Sequence, residues 1–202
     1  MYFIRPPYFY PWLFTKALFR MDTREKSVHL TFDDGPHPAA TSFVLDTLLE
    51  EGVSATFFVL GKNAEASPEL MERIVAEGHS IGNHGYSHLN GWNTSSVDYL
   101  QNFQKAVPLL GKRLFRPPYG KLGLGQYAQL SKETTIVFWD VISGDFDTTI
   151  TGEQCTKNVL NSIRNGSIIV MHDSTKALPN LRNSLKETIR SIKCRGFEFK
   201  KL

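Results

Sequence analysis

The sequence predicts an α/β chain folded as an irregular (β/α) barrel of about seven parallel strands. Three observations carry this. Strand-like and helix-like stretches alternate along the chain. The strand-like stretches are nearly continuous apolar runs, as expected of strands covered by helices on both faces. The residues capable of chemistry fall at the ends of those runs, where parallel barrels build their sites. A doubly wound open sheet is the structural alternative.

The elements follow in order. Residues 27–33 (SVHLTFD) read as a strand, and residues 39–51 carry Phe43, Val44, Leu45, Leu48 and Leu49 on one helix face. Residues 55–60 (ATFFVL) form a buried strand closed by Gly61. Ser67-Pro68-Glu69 is a helix start, with a capping serine, a first-turn proline and an early acid; that helix runs to Gly78. Residues 79–83 are a short strand, 95–112 a helix kinked or ended by Pro108, and 114–116 a strand before a Pro-Pro turn. A weak helix over 125–132 precedes a strong strand over 134–141 (TTIVFWDV). A helix over 151–164 ends at Asn165-Gly166. A strand over 167–171 (SIIVM), a helix over 181–193 and a strand over 197–200 complete the chain.

A length of 202 residues suits one domain with a proper core. The 41% hydrophobic and 21% charged fractions are those of an ordinary globular protein. A net charge of +3 with no long basic run excludes a nucleic-acid partner of the usual kind. Cys155 and Cys194 match neither a zinc-finger spacing nor a CxxC motif, so two free thiols are expected. Residues 1–22 are set apart from the domain over 23–202 by their aromatics: Tyr2, Phe3, Tyr8, Phe9, Tyr10, Trp12, Phe14 and Phe19. Arg5, three prolines and Lys16 break the stretch too often for a signal peptide or a membrane span. It reads as a segment that packs on the domain and closes one end; an interfacial membrane anchor is the other reading. The cytoplasm is then the default location, with association with the cell envelope as the alternative. A monomer is expected.

Asp33 and Asp34 end the first strand, His84 follows the third, Arg116 ends the next, Asp145 follows the strand containing Trp139, and His172 ends SIIVM. The cluster is more telling than any member. His84 and His88, four apart, point the same way if they share a helical turn. Two imidazoles and a carboxylate suit Zn²⁺ with a position left for water; a solvated loop pair is the plainer alternative. Asp33-Asp34-Gly35-Pro36 could be a turn, but two adjacent acids after a buried strand need a cation or an arginine to offset them. One acid then ligates and the other acts as base, with Arg116 beside it; spacing leaves open which is which. His172 suits a general acid, with Asp145 accepting its other ring N–H. A structural histidine and a turn aspartate after Ser143-Gly144 are the alternatives. Trp92, Tyr119, Trp139 and Phe146 are candidate aromatic platforms for a ligand.

These residues resemble the polysaccharide deacetylases with a NodB-homology domain, carbohydrate esterase family 4. The resemblance runs from about Ser27 to the C-terminus. It rests on TFDDGP at 31–36, His84-Gly85-Tyr86-Ser87-His88, Arg116-Pro117-Pro118-Tyr119-Gly120, Ser143-Gly144-Asp145-Phe146 and Val170-Met171-His172. It implies the NodB-type fold and hydrolysis of N-acetyl groups on chito-oligosaccharide- or peptidoglycan-type glycans. Asp34, His84 and His88 would hold a divalent metal, zinc first, with Co²⁺, Ni²⁺ or Mn²⁺ as substitutes. Asp33 would be the base, oriented by Arg116. The Tyr119 N–H would stabilise the oxyanion, His172 would protonate the leaving amine with Asp145 tuning it, and Val170 would line the acetyl pocket. The fourth motif departs from its D-x-x-D-W pattern: Ile142 stands for the first acid and Phe146 for the tryptophan. Gly85 stands where a small hydroxyl residue is common. An acetyl-xylan-type O-acetyl esterase, or a silent glycan-binding module on the same fold, are the alternatives.

Overall fold

Strand β1 (Ser27–Asp33) shows how the chain divides its side chains between two environments. Every residue in it is buried. Val28, Leu30 and Phe32 join the apolar layer under the helices. His29, Thr31 and Asp33 alternate to the opposite face, toward the barrel interior. In the computed structural model, which describes residues 3–202, seven strands follow β1. These are β2 (Thr56–Val59), β3 (Ser80–Asn83), β4 (Leu114–Phe115), β5 (Thr135–Ile136), β6 (Val141–Ile142), β7 (Ser167–His172) and β8 (Glu198–Phe199). All pair in parallel, in the order β5-β4-β3-β2-β1-β7-β6, with β8 against the start of β1. This is the irregular parallel barrel read from the alternating pattern. Register places Asp33 opposite both Phe58 and His172, which brings the first and fifth motifs side by side.

Helices α2 (Pro38–Glu51), α4 (Pro68–Ala76), α5 (Ser96–Leu110), α7 (Gly152–Leu160) and α8 (Leu178–Cys194) cover the sheet. Local signals explain their ends. Ser95 and Thr151 accept from backbone N–H groups of the first turns of α5 and α7. Gly52, with φ 59°, closes α2 in the left-handed region. Two shorter helices, α3 (Gly61–Ala66) and α6 (Leu124–Leu130), lie in connections. Cys155 is buried and Cys194 exposed, both as free thiols. Among the described residues no helix is long and apolar enough to cross a membrane.

Several boundaries differ from the sequence reading. Residues 134–141 are not one strand. They form β5 and then β6, which lie at opposite ends of the sheet order, so the chain between them crosses the opening of the barrel. Periodicity cannot show this, because every residue of VFWDV stays apolar or buried through the crossing. Pro108 does not end α5, since it sits in the last turn with two residues to go. The helix expected over 67–78 stops at Ala76, and that over 151–164 at Leu160. Helix α3 was not foreseen.

No helix links β5 to β6, and the aromatic N-terminal segment occupies that outer face. Helix α1 (Tyr10–Leu13) opens it. Tyr10 and Phe14 are buried, with ring centroids 5.8 and 5.1 Å from Phe138. Phe19 stacks on Phe138 at 4.9 Å. Leu18 pairs in parallel with Val137, the Ile142 N–H donates to the Ile4 carbonyl, and Arg5 pairs with Asp140. Tyr2, part of the same sequence reading, lies outside the described residues.

Candidate active site

The β-strand ends at the carboxyl face bring Asp33, Asp34, His84, His88, Arg116, Asp145 and His172 together. Arg116, immediately after β4, is only 1% exposed. Its Nη1 donates to Asp33 at 2.6 Å and to Thr31 Oγ1 at 2.7 Å. Nη2 donates to the Phe138 carbonyl at 3.1 Å, and the guanidinium lies 4.0 Å from the centre of the Phe58 ring. A buried arginine with one carboxylate and several fixed acceptors has few rotamers left, so Asp33 is held in one orientation.

Asp34 turns away from Asp33 because its backbone is in the left-handed region, φ 79°. Asn63 of α3 donates to the Asp34 carbonyl at 2.7 Å. Asp34 Oδ1 stands 3.6 Å from His84 Nε2 and 3.1 Å from His88 Nε2. Burial opposes ionisation of Asp34; protonated histidines beside it would outweigh this and hold the carboxyl far below the usual range. Three such ligand atoms lie within 4.8 Å of one another.

His84 and His88 do not share a helical turn, contrary to the spacing argument. They sit in a loop that Gly85, φ 79°, and His88, φ 60°, fold back on itself. Asn83 Oδ1 accepts the Gly85 N–H at 2.7 Å, and Asn102 of α5 accepts the Tyr86 and Ser87 N–H groups at 2.9 and 3.3 Å. Glycine fits position 85: a Cβ there would press on Asn102 at 3.0 Å as well as meet the positive φ. His84 Nδ1 lies 2.8 Å from the Arg116 carbonyl and so carries the proton, leaving Nε2 as an acceptor aimed at Asp34. Two acceptors face each other, and the buried Asp34 Oδ1 has no hydrogen-bond donor. That is the arrangement a cation resolves, and the donor set of two imidazoles and a carboxylate fits a divalent ion.

On the other side of β1, Asp145 is fully buried. Its Oδ2 accepts the His172 backbone N–H at 2.7 Å and its Oδ1 lies 2.8 Å from His172 Nδ1. Burial alone would pull the His172 pKa down; Asp145, with Asp34 and Asp33 adding, outweighs this and holds it up at about 9. Asn180 fixes the Asp145 carbonyl at 3.0 Å. Ile142, where an acid was expected, is buried in β6, and Asp145 serves His172 without it. Phe146 meets the His172 ring edge-on at 5.0 Å. Val170 lies two residues before His172, on the same face of β7. Tyr119 is 59% exposed, φ 60°, with its ring 4.4 Å from His88. Trp139 is half-buried, with its ring packed over Gly120.

The three non-glycine residues with positive φ among the described residues are Asp34, His88 and Tyr119. Such conformations cluster where a structure must aim a side chain or an N–H. Sequence reasoning missed Asp173. It is buried beneath Gly35, accepting the Gly35 N–H at 3.1 Å and the Thr41 hydroxyl at 2.6 Å. A Cβ on Gly35 would fall 1.9 Å from its Oδ2, which is why TFDDGP has a glycine there. Burial pushes the Asp173 carboxyl up to about 7. Thr31, Asn63 and Asn102 were missed as well; only their contacts reveal them, since none stands out from the many polar residues of the chain.

A polysaccharide deacetylase family profile matches residues 20–137. The chain is 36% identical over 180 residues to a peptidoglycan-N-acetylglucosamine deacetylase of Bacillus cereus, covering 85% of this chain and 65% of that protein. It is 37% identical over 166 residues to a chitooligosaccharide deacetylase of Sinorhizobium fredii, covering 76% and 75% of the two. Among solved structures, the Bc1960 peptidoglycan N-acetylglucosamine deacetylase in complex with a hydroxamate superposes with a TM-score of 0.88 at 33% identity, covering 97% of this chain and 94% of that one. The chain spans between 37% and 65% of the length of the first peptidoglycan deacetylases it matches.

Proposed function

The chain belongs to the polysaccharide deacetylase family, and on that premise we propose that it is a metal-dependent hydrolase removing N-acetyl groups from a glycan. One observation carries the reading: a carboxylate pinned by a buried arginine and an imidazole paired with a buried acid stand in register on neighbouring strands, beside a two-histidine, one-carboxylate cluster. An amide has a poor leaving amine and needs both a base for water and a proton donor. Asp33 takes the proton from the attacking water. Arg116 holds Asp33 in place and stays charged through the cycle. His172 delivers a proton to the departing nitrogen, and Asp145 keeps its Nδ1 occupied so that Nε2 faces the substrate. The Tyr119 N–H donates to the carbonyl oxygen as charge develops on it, an interaction worth roughly 3 kcal/mol in comparable sites. Val170 borders the space for the acetyl methyl group, and Phe146 offers the sugar an apolar face.

Asp34, His84 and His88 would hold a divalent ion, which would supply Lewis acidity to the acetyl oxygen and acidify a water. Zinc matches the donor set best, with Co²⁺, Ni²⁺ and Mn²⁺ as substitutes. Of the segment 1–22, the described residues 3–22 act as a strap over the β5–β6 crossing, and 23–202 as the deacetylase domain. The substrate is an N-acetylated glycan of the kind named for the relatives. The test is acetate release from chito-oligosaccharides and peptidoglycan fragments before chelation, after chelation, and after zinc is restored. Loss and recovery of activity support the reading; activity indifferent to chelation overturns its metal dependence.

A further inference from the structure

The two rims of the site carry the same unusual pairing. On the β3–β4 side, Trp92 is 59% exposed with Lys121 Nζ 5.0 Å from its ring, two residues on from Tyr119. This is not a chance meeting of two loops. Gln126 donates to the Gly91 carbonyl at 2.9 Å, and a Cβ on Gly91 would fall 2.4 Å from the Lys121 carbonyl, so the loops are locked together. On the β6–β7 side, Phe146 lies against His172, and Lys176 Nζ is 6.0 Å from its ring. Because β1 stands between these halves of the sheet, the pairs lie on opposite sides of Asp33 and Asp34.

An aromatic face suits the C–H face of a sugar ring, and an ammonium beside it is a point charge for an anion. Among the described residues, the lysines in ion pairs are Lys157, Lys186 and Lys200, so neither rim lysine is neutralised in this way. Asp147 feels the Lys176 charge and offsets part of it, which leaves Lys121 with the larger effect.

We propose that Lys121 and Lys176 select a glycan that carries carboxylates on the sugars flanking the one deacetylated. This rests on the deacetylase reading and narrows its substrate. In a strand where every second sugar bears a free ether-linked acid, such as the lactyl group of peptidoglycan stripped of its peptides, an uncharged N-acetylglucosamine at the centre has a charged neighbour on each side. A chitin-type strand offers the lysines nothing.

The test compares initial rates of acetate release from three strands of equal length: a chito-oligosaccharide, a peptide-stripped peptidoglycan strand, and the same strand with its lactyl carboxylates amidated. The free-acid strand should be the best substrate, with a preference that falls as salt rises. Lys121→Gln should lower the ratio of free-acid to amidated rates by about two- to fivefold, and the Lys121→Gln/Lys176→Gln double variant further, in line with exposed ion pairs. Lys157→Gln, remote from the cleft, should not change the ratio. Equal rates on the free-acid and amidated strands, or an unaltered ratio in the double variant, overturn the proposal while leaving deacetylation intact. No acetate from any strand overturns both.

Discussion

Replacing Asp145 with asparagine isolates the link between a buried acid and the proton donor it faces. Asp145 receives the His172 backbone N–H at 2.7 Å and meets its ring Nδ1 at 2.8 Å. Asparagine keeps the shape and removes the charge. With the charge gone, only Asp34 and Asp33 still oppose burial, and the His172 pKa falls from about 9 toward the ordinary 6.5. A drop of about 2.5 units corresponds to about 3.4 kcal/mol at 1.36 kcal/mol per unit. A cation at Asp34 offsets that carboxylate's share of the field, so the wild-type limb lies at or below about 9, while the direction of the change stays the same. At pH 8 the protonated fraction falls from about nine-tenths to about one-thirtieth, so kcat/KM falls about thirtyfold. The assay is kcat/KM between about pH 5 and 10 with metal saturating. An alkaline limb that moves by less than about 0.3 units would refute the role of Asp145 and remove His172 from the acid role.

The same pair makes a stability prediction. The folded pKa of His172 lies above its unfolded value, so its contribution is complete below about pH 6.5 and is lost as pH rises through about 9. The Tm of the wild type should fall over that window more than that of Asp145→Asn; parallel curves would contradict this. Gly35→Ala should destabilise by roughly 1–3 kcal/mol through overpacking against Asp173, and Asp173→Ala in the same chain should recover part of it by denaturant titration. Phe14→Ala should cost roughly 3–5 kcal/mol, because Phe14 is 3% exposed in the aromatic strap over Phe138; a loss under about 1 kcal/mol would mean the strap merely lies on the surface. His84→Ala should weaken zinc binding by calorimetry more than about 100-fold, beyond the effect of losing an outer-shell partner.

The barrel was legible because β1, β2 and β7 are buried, largely apolar runs, and because β1 and β7 end in polar residues that parallel pairing must gather on one face. The TFDDGP and RPPYG segments were legible for the same reason. What was not legible depends on contacts between distant segments. Thr135 to Ile142 looks like one strand because the crossing it makes is as apolar as the strands themselves. The strap residues Tyr10 and Phe14 have a role only because no helix joins β5 to β6. Asp173, 138 positions from Gly35, explains the glycine of the first motif through a side-chain contact that spacing cannot encode. His84 and His88 converged as read, but by two positive-φ residues in a loop rather than by helical geometry.

The most direct test of metal-assisted hydrolysis driven by Asp33 uses metal-loaded wild type and Asp33→Asn on an N-acetylated glycan in ¹⁸O-labelled water, with zinc content measured in both. The account predicts wild-type acetate carrying one labelled oxygen per amine formed. It predicts a loss of about 10²–10⁴-fold in Asp33→Asn at undiminished zinc content. Acetate released at the wild-type rate by Asp33→Asn, or none from any N-acetylated glycan by the zinc-loaded wild type, would contradict it.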